Sequence, residues 1–244
     1  MREVLSESLS VVIPVWNEEG VIGDLLAEID REVRTRFERV EIVVVDDAST
    51  DATPTVLAGL GDLDGRLHVL RSDRNRGHGP SVLRGLRHAR GDWILQLDSD
   101  GQFVVAELWS LWRRHEEADL VLGVRLHRQD PVHRLVLSRI VSKIVSLLAG
   151  RRLRDPNVPF RLLRRSLWDD LSRLMPQDAL APSILVALGA AVRGYRVVEE
   201  PVSHRPRTRG RSSLRSLRLL RFSLRGLVQL VMFRYSLRRA PRRA

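Results

Sequence analysis

The segment VEIVVVDDASTDATPTVLAGL, residues 40–60, contains the structural unit from which the fold can be predicted. It opens with an almost continuous apolar run, which is typical of a strand covered on both faces of a sheet. Asp46 and Asp47 follow this run directly, and the polar residues 49–51 can cap a helix over 51–60. The segment therefore predicts a strand, a polar turn and a helix in succession.

The same unit recurs throughout the first half of the chain. Predicted strands and helices alternate over 9–15, 18–36, 66–70, 80–90, 92–98, 104–117 and 118–124. This alternation predicts an α/β fold with a parallel, doubly wound sheet. Ligands of such sheets bind beyond the carboxyl ends of the strands. The polar residues at three of these ends are therefore candidate site residues: Asn17, Glu18, Asp46, Asp47, Asp98 and Asp100.

The second half of the chain has a different pattern. It predicts one strand over 195–202 and a basic loop over 204–213. It also predicts amphipathic or apolar helices over 131–150, 164–174, 179–193 and 214–239. No apolar run reaches the roughly 18 residues that cross a bilayer, so we expect no transmembrane span. The first ten residues, MREVLSESLS, contain no apolar stretch, so we expect no secretory signal.

Composition excludes several classes of protein. The 244 residues include no cysteine, which excludes a disulfide scaffold, thiolate zinc sites and a cysteine nucleophile. Hydrophobic residues make up 43% of the chain and charged residues 29%, an ordinary globular mixture. Residues 1–125 carry a formal charge of −8 and residues 126–244 a charge of +19, and no acid follows Glu200. This asymmetry indicates two kinds of partner, a metal for the acidic half and an anionic surface for the basic half.

The stretch LDSDGQF, residues 97–103, carries the clearest chemistry. Two carboxylates one residue apart, Asp98 and Asp100, follow a predicted strand, and Gln102 adds a neutral oxygen. Oxygen ligands of this type suit Mg²⁺ or Mn²⁺, which commonly bind substrate phosphates as well. A solvated acidic turn would have the same tripeptide, but the position at the end of an apolar strand favours the metal site.

Four motifs together resemble family 2 glycosyltransferases with the GT-A fold. They are VVIPVWNEE (11–19), VVVDDASTD (43–51), NRGHGPSVLRGLRHARGDWI (75–94) and LDSDGQF (97–103). The resemblance implies a Rossmann-like, doubly wound mixed sheet and a nucleotide-sugar donor. It also implies a nucleotide pocket lined by Pro14, Asn17, Glu18, Asp46, Asp47 and Asp98. Asp98, Asp100 and Gln102 would hold the metal on the diphosphate, and Asp98 and Asp100 would be catalytic.

Motifs of the second half are similar to those of the polyprenyl-phosphate glycosyltransferases, the dolichyl-phosphate mannose synthase group. They are LGVR (122–125), HRLVLSR (133–139), RDPNVPFRLLRR (154–165) and GYRVVEEPVSHRPRTRGRSSL (194–214). The resemblance implies that an acceptor phosphate is bound by Arg125, Arg134, Ser138, Arg207, Arg209 and Ser212. Guanidinium groups suit this task because they donate two parallel hydrogen bonds to phosphate oxygens.

The chain departs from this group at three places. Ser213 stands where the group usually has lysine, and Pro159 replaces a glycine in the D-x-x-x-G-F-R turn. The helix over 179–188 lacks the glutamate that the group carries there, and Asp178, just before it, is the candidate replacement as a catalytic carboxylate. Asp178 is explained equally well as an acid at the N-terminal end of a helix, where the helix dipole stabilises a negative charge. These departures affect the identity of the sugar and of the acceptor.

The resulting interpretation is an inverting, metal-dependent glycosyltransferase that moves a hexose from GDP-mannose or a UDP-sugar to polyprenyl phosphate. A lipid phosphate is already ionised at neutral pH, so its attack needs no strong general base. We expect a GT-A catalytic domain over 1–210, divided into a nucleotide-sugar half (1–125) and an acceptor half (126–210), and a basic amphipathic tail over 211–244. The expected location is cytoplasmic, peripheral on the inner face of the cell membrane, whose anionic lipids attract the tail.

Two alternatives stay open from the sequence. The acceptor could be a soluble hydroxyl, as in polysaccharide or natural-product glycosylation, and Asp178 would then be the candidate base. The more distant alternative is a basic protein whose tail binds nucleic acid, which a sequence pI near 11.3 suggests. The arginines of that tail alternate with Leu, Val and Phe and carry no RNA-binding signature, so an anionic membrane is the favoured partner and no nucleic acid is expected.

Overall fold

A single sheet forms the centre of the computed structural model. The structure describes residues 4–126, 132–205 and 216–241, and within them it describes the backbone but not the side chains of 132–134 and 216–224. Within these residues the sheet has seven strands in the order β3-β2-β1-β4-β6-β5-β7. The strands are β1 (Leu9–Val15), β2 (Val40–Asp46), β3 (Leu67–Arg71), β4 (Trp93–Gln96), β5 (Leu120–Arg125), β6 (Arg161–Arg164) and β7 (Val197–Val202).

Eight α-helices connect or cover these strands in the described part of the chain. They are α1 (Ile22–Val33), α2 (Thr53–Gly59), α3 (His78–His88), α4 (Leu108–Trp112), α5 (Val132–Ala149), α6 (Arg165–Ser172), α7 (Pro182–Val192) and α8 (Ser216–Arg239). All strands and helices predicted from the sequence are present, with ends that differ by a few residues. Two predicted helices are shorter than expected, since α1 begins at Ile22 and the 104–117 segment holds a 3₁₀ turn followed by α4.

The sheet is mixed because one strand runs against its neighbours. Strands β1 to β4 are mutually parallel, and β5 is parallel to β7, but β6 is antiparallel to both β4 and β5. The mixed sheet implied by the family resemblance is therefore confirmed. The parallel strands predicted from strand–helix alternation over 9–124 are confirmed as well, because β1 to β5 all run in one direction and β6 is the strand that opposes them. The strand β6 was not predicted, because its sequence Arg-Leu-Leu-Arg offers only two apolar residues between cations.

Strand register brings the predicted site residues to one edge of the sheet. In the parallel pair of β1 and β2, Val15 lies opposite Asp46, so both strands end at the same level. Strand β4 ends beside them, since the backbone N–H of Leu97 donates to the carbonyl oxygen of Val12. The carboxyl ends of β1, β2 and β4 therefore form one rim. Strands from both predicted halves share this sheet, while the predicted domain boundary at 210 lies outside the described residues.

Three helices of the second half form a layer of their own. The helix α7 is apolar on all sides and buried almost throughout, as expected for a helix enclosed by others. It packs between α5 and α8, and the buried face of α8 consists of Leu230, Phe233 and Leu237. None of the helices in the described residues combines the length and the apolar character that crossing a bilayer requires.

Candidate functional site

A cavity of about 250 Å³ opens at the carboxyl ends of β4 and β5. One side is formed by the loop after β4, which includes Asp98, Asp100 and Gln102. The other sides are formed by the end of β5, the segment 157–159, the first residues of α7 and the preceding loop, and His204. The cavity therefore joins the acidic first half of the chain to the basic second half.

The loop after β4 turns the two carboxylates of the DSD motif into the cavity. Gly101 adopts a positive φ of 69°, which a side chain would oppose, and this closes the turn directly after Asp100. The backbone N–H of Gln102 donates to Oδ1 of Asp100 at 3.1 Å. The turn thus holds Asp98 and Asp100 at the wall where the sequence analysis expects them.

The imidazole of His78 pairs with Asp98. Its Nε2 lies 2.9 Å from Oδ1 of Asp98, and the ring comes from the first residue of α3. Desolvation disfavours the charged form of both groups, but their mutual attraction and hydrogen bond outweigh it. The pKa of His78 is consequently raised above its ordinary value and the pKa of Asp98 is lowered. Asp98 is therefore ionised at neutral pH, as a metal ligand must be.

The residues at the end of β4 fit a divalent cation. Two carboxylates and the amide of Gln102 line the same wall, and oxygen donors of this kind suit Mg²⁺ or Mn²⁺. The Nε2 of Gln102 donates to the carbonyl oxygen of Arg205 at 2.9 Å, which orients the amide and makes its Oε1 the atom that can bind a cation. Among the described residues no cluster of three His, Asp or Glu side chains forms a complete cage, so substrate oxygens would have to complete the coordination.

The predicted nucleotide residues at the ends of β1 and β2 are bonded mainly to one another. The Oδ1 of Asn17, which has a φ of 54°, accepts from the backbone N–H of Thr50 at 2.8 Å, and its Nδ2 donates to Oγ1 of Thr50 at 3.2 Å. The backbone N–H of Glu18 donates to Oγ1 of Thr53 at 2.9 Å. Pro14 is buried within β1. These bonds lock the turn after β1 to the start of α2, which shapes the predicted nucleotide side of the rim.

Asp46 and Asp47 are buried, at 1% and 3% exposure; both accept backbone hydrogen bonds, and Oδ2 of Asp46 also lies 3.6 Å from Nε of Arg71. Oδ1 of Asp46 accepts from the N–H of Ser49 at 2.9 Å. The two carboxylate oxygens of Asp47 accept from the N–H groups of Arg76 and Gly77, at 2.9 and 2.7 Å. Asp47 thereby fixes the loop that presents His78, a role the sequence analysis did not anticipate. A direct contact of either aspartate with a nucleotide stays a prediction.

On the opposite side of the cavity, Arg125 forms a buried ion pair with Asp155. Its Nε and Nη2 donate to the two carboxylate oxygens of Asp155 at 2.7 and 3.0 Å, and the two side chains are 12% and 7% exposed. The fork fixes the guanidinium at the end of β5, where it lines the cavity, and its role as a phosphate ligand stays a prediction. Asp155 belongs to the motif RDPNVPFRLLRR (154–165), but its pairing with Arg125 was not predicted from the sequence.

Arg161 is a buried arginine that lies beneath the Arg125 side of the cavity. It is fully buried at the start of β6 and donates to the carbonyl oxygens of Pro156, Val158 and Ser183. Burial lowers its pKa to about 9, against the raising effect of Asp155 and Asp98, so the group stays charged at neutral pH. Arg161 therefore holds the segment before β6 to the start of α7. The sequence signal was an arginine inside an apolar stretch, Phe-Arg-Leu-Leu.

The segment after β7 docks on the DSD loop. The backbone N–H of Arg205 donates to the carbonyl oxygen of Gln102 at 2.8 Å, in return for the bond from the Gln102 side chain. The ring of His204 meets that of Phe103 at 5.3 Å between centroids. Arg205 and His204 are thus held beside the predicted metal ligands.

Of the remaining predicted residues, Asp178 and Ser138 have described side chains, and neither lines this cavity. Asp178 is exposed and is not among the residues that line it, so its position does not support the role of catalytic carboxylate. Ser138 lies on α5 and is half-buried, and Arg134 lies on the same helix with its side chain outside the described part. Arg207, Arg209 and Ser212 lie outside the described residues, and their acceptor role stays a prediction.

A mixed sheet of this order, with an Asp-X-Asp turn after β4, defines a GT-A domain, and solved structures agree. The mannosyltransferase PcManGT from Pyrobaculum calidifontis, solved with GDP-Man and Mn²⁺, superposes with a TM-score of 0.63 at 22% identity, covering 98% of this chain and 66% of that one. Glucosyl-3-phosphoglycerate synthase from Mycobacterium tuberculosis, solved with Mn²⁺, UDP-Glc and phosphoglyceric acid, gives 0.70 at 18% identity, with coverage of 93% and 80%. These likenesses show the fold.

The chain belongs to glycosyl transferase family 2, whose family model matches residues 10–172. It is similar to undecaprenyl-phosphate 4-deoxy-4-formamido-L-arabinose transferases, with 30% identity over 217 residues to the protein of Klebsiella pneumoniae subsp. pneumoniae and 28% over 216 residues to that of Salmonella choleraesuis. Each alignment covers 88% of this chain but only 64% of the relative's length. The resemblance to family 2 and to its polyprenyl-phosphate group is therefore confirmed.

Proposed function

We propose that this protein is an inverting, metal-dependent glycosyltransferase that transfers a hexose from a nucleotide-diphosphate sugar to polyprenyl phosphate. The observation that carries the proposal is the division of charge across one cavity. The carboxylates that line it in the described residues, Asp98 and Asp100, lie together at the end of β4, and Arg125 lies across from them at the end of β5. A site of this kind can bind a metal–diphosphate on one side and an anionic acceptor on the other.

The proposed reaction is one displacement at the anomeric carbon. A phosphate oxygen of the acceptor forms a bond to that carbon while the bond to the diphosphate oxygen breaks, with inversion, releasing a nucleoside diphosphate and a lipid-linked sugar. A divalent cation held by Asp98, Asp100 and Gln102 would neutralise the charge that grows on the leaving diphosphate. The task of the protein is therefore to bring the two substrates into line and to exclude water.

Two features of the described residues support these roles. Asp47 binds the backbone before α3, which places the ring of His78 beside Asp98 on the proposed donor side. Asp155 fixes the guanidinium of Arg125, so that an incoming phosphate meets a pre-oriented donor. Additional positive charge for the acceptor is expected from Arg134, Arg207 and Arg209, according to the family resemblance.

The acceptor side favours a phosphate over a hydroxyl. A sugar hydroxyl must lose a proton as it attacks, which calls for a general base within hydrogen-bond reach. The carboxylate candidates for such a base among the described residues do not fit, since Asp155 is paired with Arg125 and Asp178 lies outside the cavity lining, which leaves the imidazole of His204 on that wall. A polyprenyl phosphate is already anionic and needs no such base. The names of the relatives, which are undecaprenyl-phosphate transferases, agree with this choice.

The helices α5 and α8 provide a surface for the membrane in which such an acceptor resides. Exposed apolar residues form one stripe on α8, at the i, i+3, i+4 and i+7 positions Val228, Val231, Met232 and Tyr235. Exposed apolar residues also lie on α5, at Val136, Ile140 and Leu147. Arg139 and Lys143 are exposed on the same helix. We propose peripheral binding to the inner, anionic face of the cell membrane through these stripes and the acid-free basic segment after Glu200.

The test is a matrix of donors and acceptors. The purified protein with Mn²⁺ is incubated with GDP-mannose, UDP-glucose or UDP-N-acetylglucosamine, each with polyprenyl phosphate in detergent or vesicles, and the lipid fraction is analysed for a phosphate-linked sugar. The matched acceptors are polyprenyl alcohol and a soluble sugar. We expect one of the three donors to give product, and we expect that product with polyprenyl phosphate and not with the polyprenyl alcohol or the soluble sugar. Product on a hydroxyl acceptor, with none on the lipid phosphate, would overturn the proposed acceptor.

A further inference from the structure

Gln229 connects α8 to the loop that precedes α7. Its Oε1 accepts a hydrogen bond from the backbone N–H of Leu180 at 3.0 Å, and its Nε2 donates to the carbonyl oxygen of Asp178 at 3.2 Å. It is also the one polar side chain in the otherwise apolar stretch GLVQLVMF, residues 226–233. A single amide that satisfies two backbone groups of another segment fixes that segment more tightly than apolar packing would.

The loop that Gln229 holds forms a wall of the cavity. Leu180 and Ala181, together with the first residues of α7, line the cavity that Arg125 and Asn157 also line. The predicted nucleotide residues at the ends of β1 and β2 are not part of this lining. A shift of the loop would therefore change the shape of the acceptor site before it changed the nucleotide site.

The same loop is supported from its other side by α3. Gly79, the second residue of α3, lies so close that a Cβ on it would overlap the carbonyl oxygen of Ala179. The helix α3 itself packs directly on the sheet, because a Cβ on Gly85 would overlap Val12. The loop is thus held between a rigid helix and the Gln229 amide. Removal of the amide frees one side of the loop while α3, with His78, keeps its place.

The helix that carries Gln229 is itself firmly seated. Phe233 is 2% exposed, and Nε of Arg234 donates to the carbonyl oxygen of Leu148 at 2.5 Å. Beyond the end of α8, the carbonyl oxygen of Pro241 accepts from Nη1 of Arg193 at 3.0 Å. The part of α8 that follows Gln229 is therefore fixed by contacts with α5 and with Arg193.

We infer that Gln229 is a positioning residue for the transfer reaction, which holds the Leu180–Ala181 wall of the acceptor site from α8. The inference rests on the proposed function for its catalytic consequence. It also gives α8 a task besides the proposed membrane attachment, because the exposed stripe lies on the face of this helix next to Gln229. Gln229 then links the position of α8 to the shape of the acceptor site.

The variant Gln229→Met tests the inference, since it keeps the length of the side chain and removes both hydrogen bonds. We expect kcat/KM for polyprenyl phosphate to fall about tenfold, as for the loss of about 1.4 kcal/mol. The affinity for the matching nucleoside diphosphate with Mn²⁺, measured by calorimetry, should change by less than about twofold. The variant Gln229→Glu, which keeps an acceptor for the Leu180 N–H, should fall between wild type and Gln229→Met. Equal losses for nucleotide and acceptor would overturn the inference.

The matched control is Ser236→Ala, which also removes a polar group from α8. The hydroxyl of Ser236 donates to the carbonyl oxygen of Met232 within the same helix and has no bond to the loop. We expect wild-type kinetics for this variant. A loss equal to that of Gln229→Met would assign the effect to α8 in general and overturn the inference.

Hydrogen exchange separates this inference from the proposed function, because it needs no turnover. The amide of Leu180 should exchange at least about tenfold faster in Gln229→Met than in wild type or Ser236→Ala, with unchanged exchange in α3. An inactive wild type with this exchange pattern would refute the proposed function and keep the positional role. An active wild type with unchanged Leu180 exchange and unchanged acceptor kinetics in Gln229→Met would refute the inference alone.

Discussion

The charged side chains around the cavity are held by the protein itself. Arg125 is fixed by Asp155, Asp98 by His78, and Arg161 by three backbone carbonyl groups. Each of these bonds offsets the cost of removing a charge from water and also fixes a direction. The site is consequently ordered in the absence of substrate, which is the arrangement that favours charge stabilisation during a transfer.

Asp100→Asn should abolish most turnover without unfolding the protein. The substitution keeps the shape of the side chain and removes the negative charge that a divalent cation needs. Metal stabilisation is worth several kcal/mol, so we expect at least about a 100-fold loss of kcat. Steady-state kinetics and thermal unfolding of both proteins check this, and EDTA should inactivate the wild type until Mg²⁺ or Mn²⁺ is restored.

The control for this prediction is Asp62→Asn, which neutralises an exposed aspartate far from the rim. It should keep wild-type activity and metal response. Full activity of the wild type in EDTA, or of Asp100→Asn with metal present, would contradict the metal role assigned to the DSD motif.

Asp155→Ala should destabilise the fold by about 3 kcal/mol. It leaves Arg125 and the neighbouring Arg161 buried with less compensating charge, and breaking a buried pair from one side commonly costs this much. Chemical denaturation of both proteins measures the change. The control Asp169→Ala removes an acid that is 52% exposed and paired with Arg165 within one helix, and should change stability by less than about 0.5 kcal/mol. Equal stabilities for the two variants would contradict the argument.

The sequence predicted the residues of the site better than their partners. The Asp98–Asp100–Gln102 spacing is local, and a strand end is enough to place it at the rim. The pairs His78–Asp98 and Arg125–Asp155 join residues 20 and 30 positions apart. Such pairs depend on how the elements pack, so no local pattern could identify them. The burial of Asp46 and Asp47 escaped prediction for the same reason.

At the scale of elements, periodicity identified every strand of the first half and missed β6. The apolar strands β1, β2 and β4 are covered on both faces, so their composition alone reveals them. The strand β6 has four residues, two of them arginines, and it is stabilised by pairing with β4 and β5 on both sides. Its conformation is set by those neighbours, which are remote in sequence. The conformation of a strand this short is therefore set by its tertiary contacts, and the intrinsic propensities of its residues cannot predict it.

Gly85→Ala should weaken the packing of α3 on the sheet. A Cβ at this position would overlap Cγ1 of Val12, and its distance to Cγ2 of Val45 would be 3.2 Å. We expect a loss of about 1–3 kcal/mol in unfolding free energy, the usual cost of overpacking a core. The control is Gly59→Ala at the end of α2, where a Cβ meets nothing within 4 Å. This substitution should leave the unfolding free energy unchanged or raise it slightly. A neutral Gly85→Ala would show that α3 can shift freely, against the rigidity assigned to it here.

At the scale of the whole molecule, the charge asymmetry of the sequence corresponds to two working sides. The acidic half supplies the strand ends, including Arg125 at the end of β5, and the DSD loop, while the basic half supplies the α5–α7–α8 layer and the acid-free segment after Glu200. The cavity lies where these halves meet in one sheet. An acceptor that enters from a membrane would therefore reach the cavity from the basic side.

Binding to anionic vesicles should depend on the exposed stripe of α8. We expect the protein to co-sediment with vesicles that contain phosphatidylglycerol at low salt and to be released as salt rises, because each arginine near anionic lipid contributes on the order of 1 kcal/mol before screening. The double variant Val228→Glu/Met232→Glu places two acids on side chains that are 52% and 65% exposed. It should bind at least about tenfold more weakly, since it loses apolar burial and adds repulsion.

The control for the vesicle experiment is Val69→Glu on β3, at the opposite edge of the sheet, where the side chain is 42% exposed. It adds an acid to an exposed apolar position without touching α8, so its binding should stay close to that of wild type. Thermal unfolding should be unchanged in both variants, because none of the three side chains is buried. Equal binding by the α8 variant and wild type would exclude this face as the membrane contact. Failure of the wild type to bind at low salt would instead remove the argument for a membrane-resident acceptor and favour a soluble one.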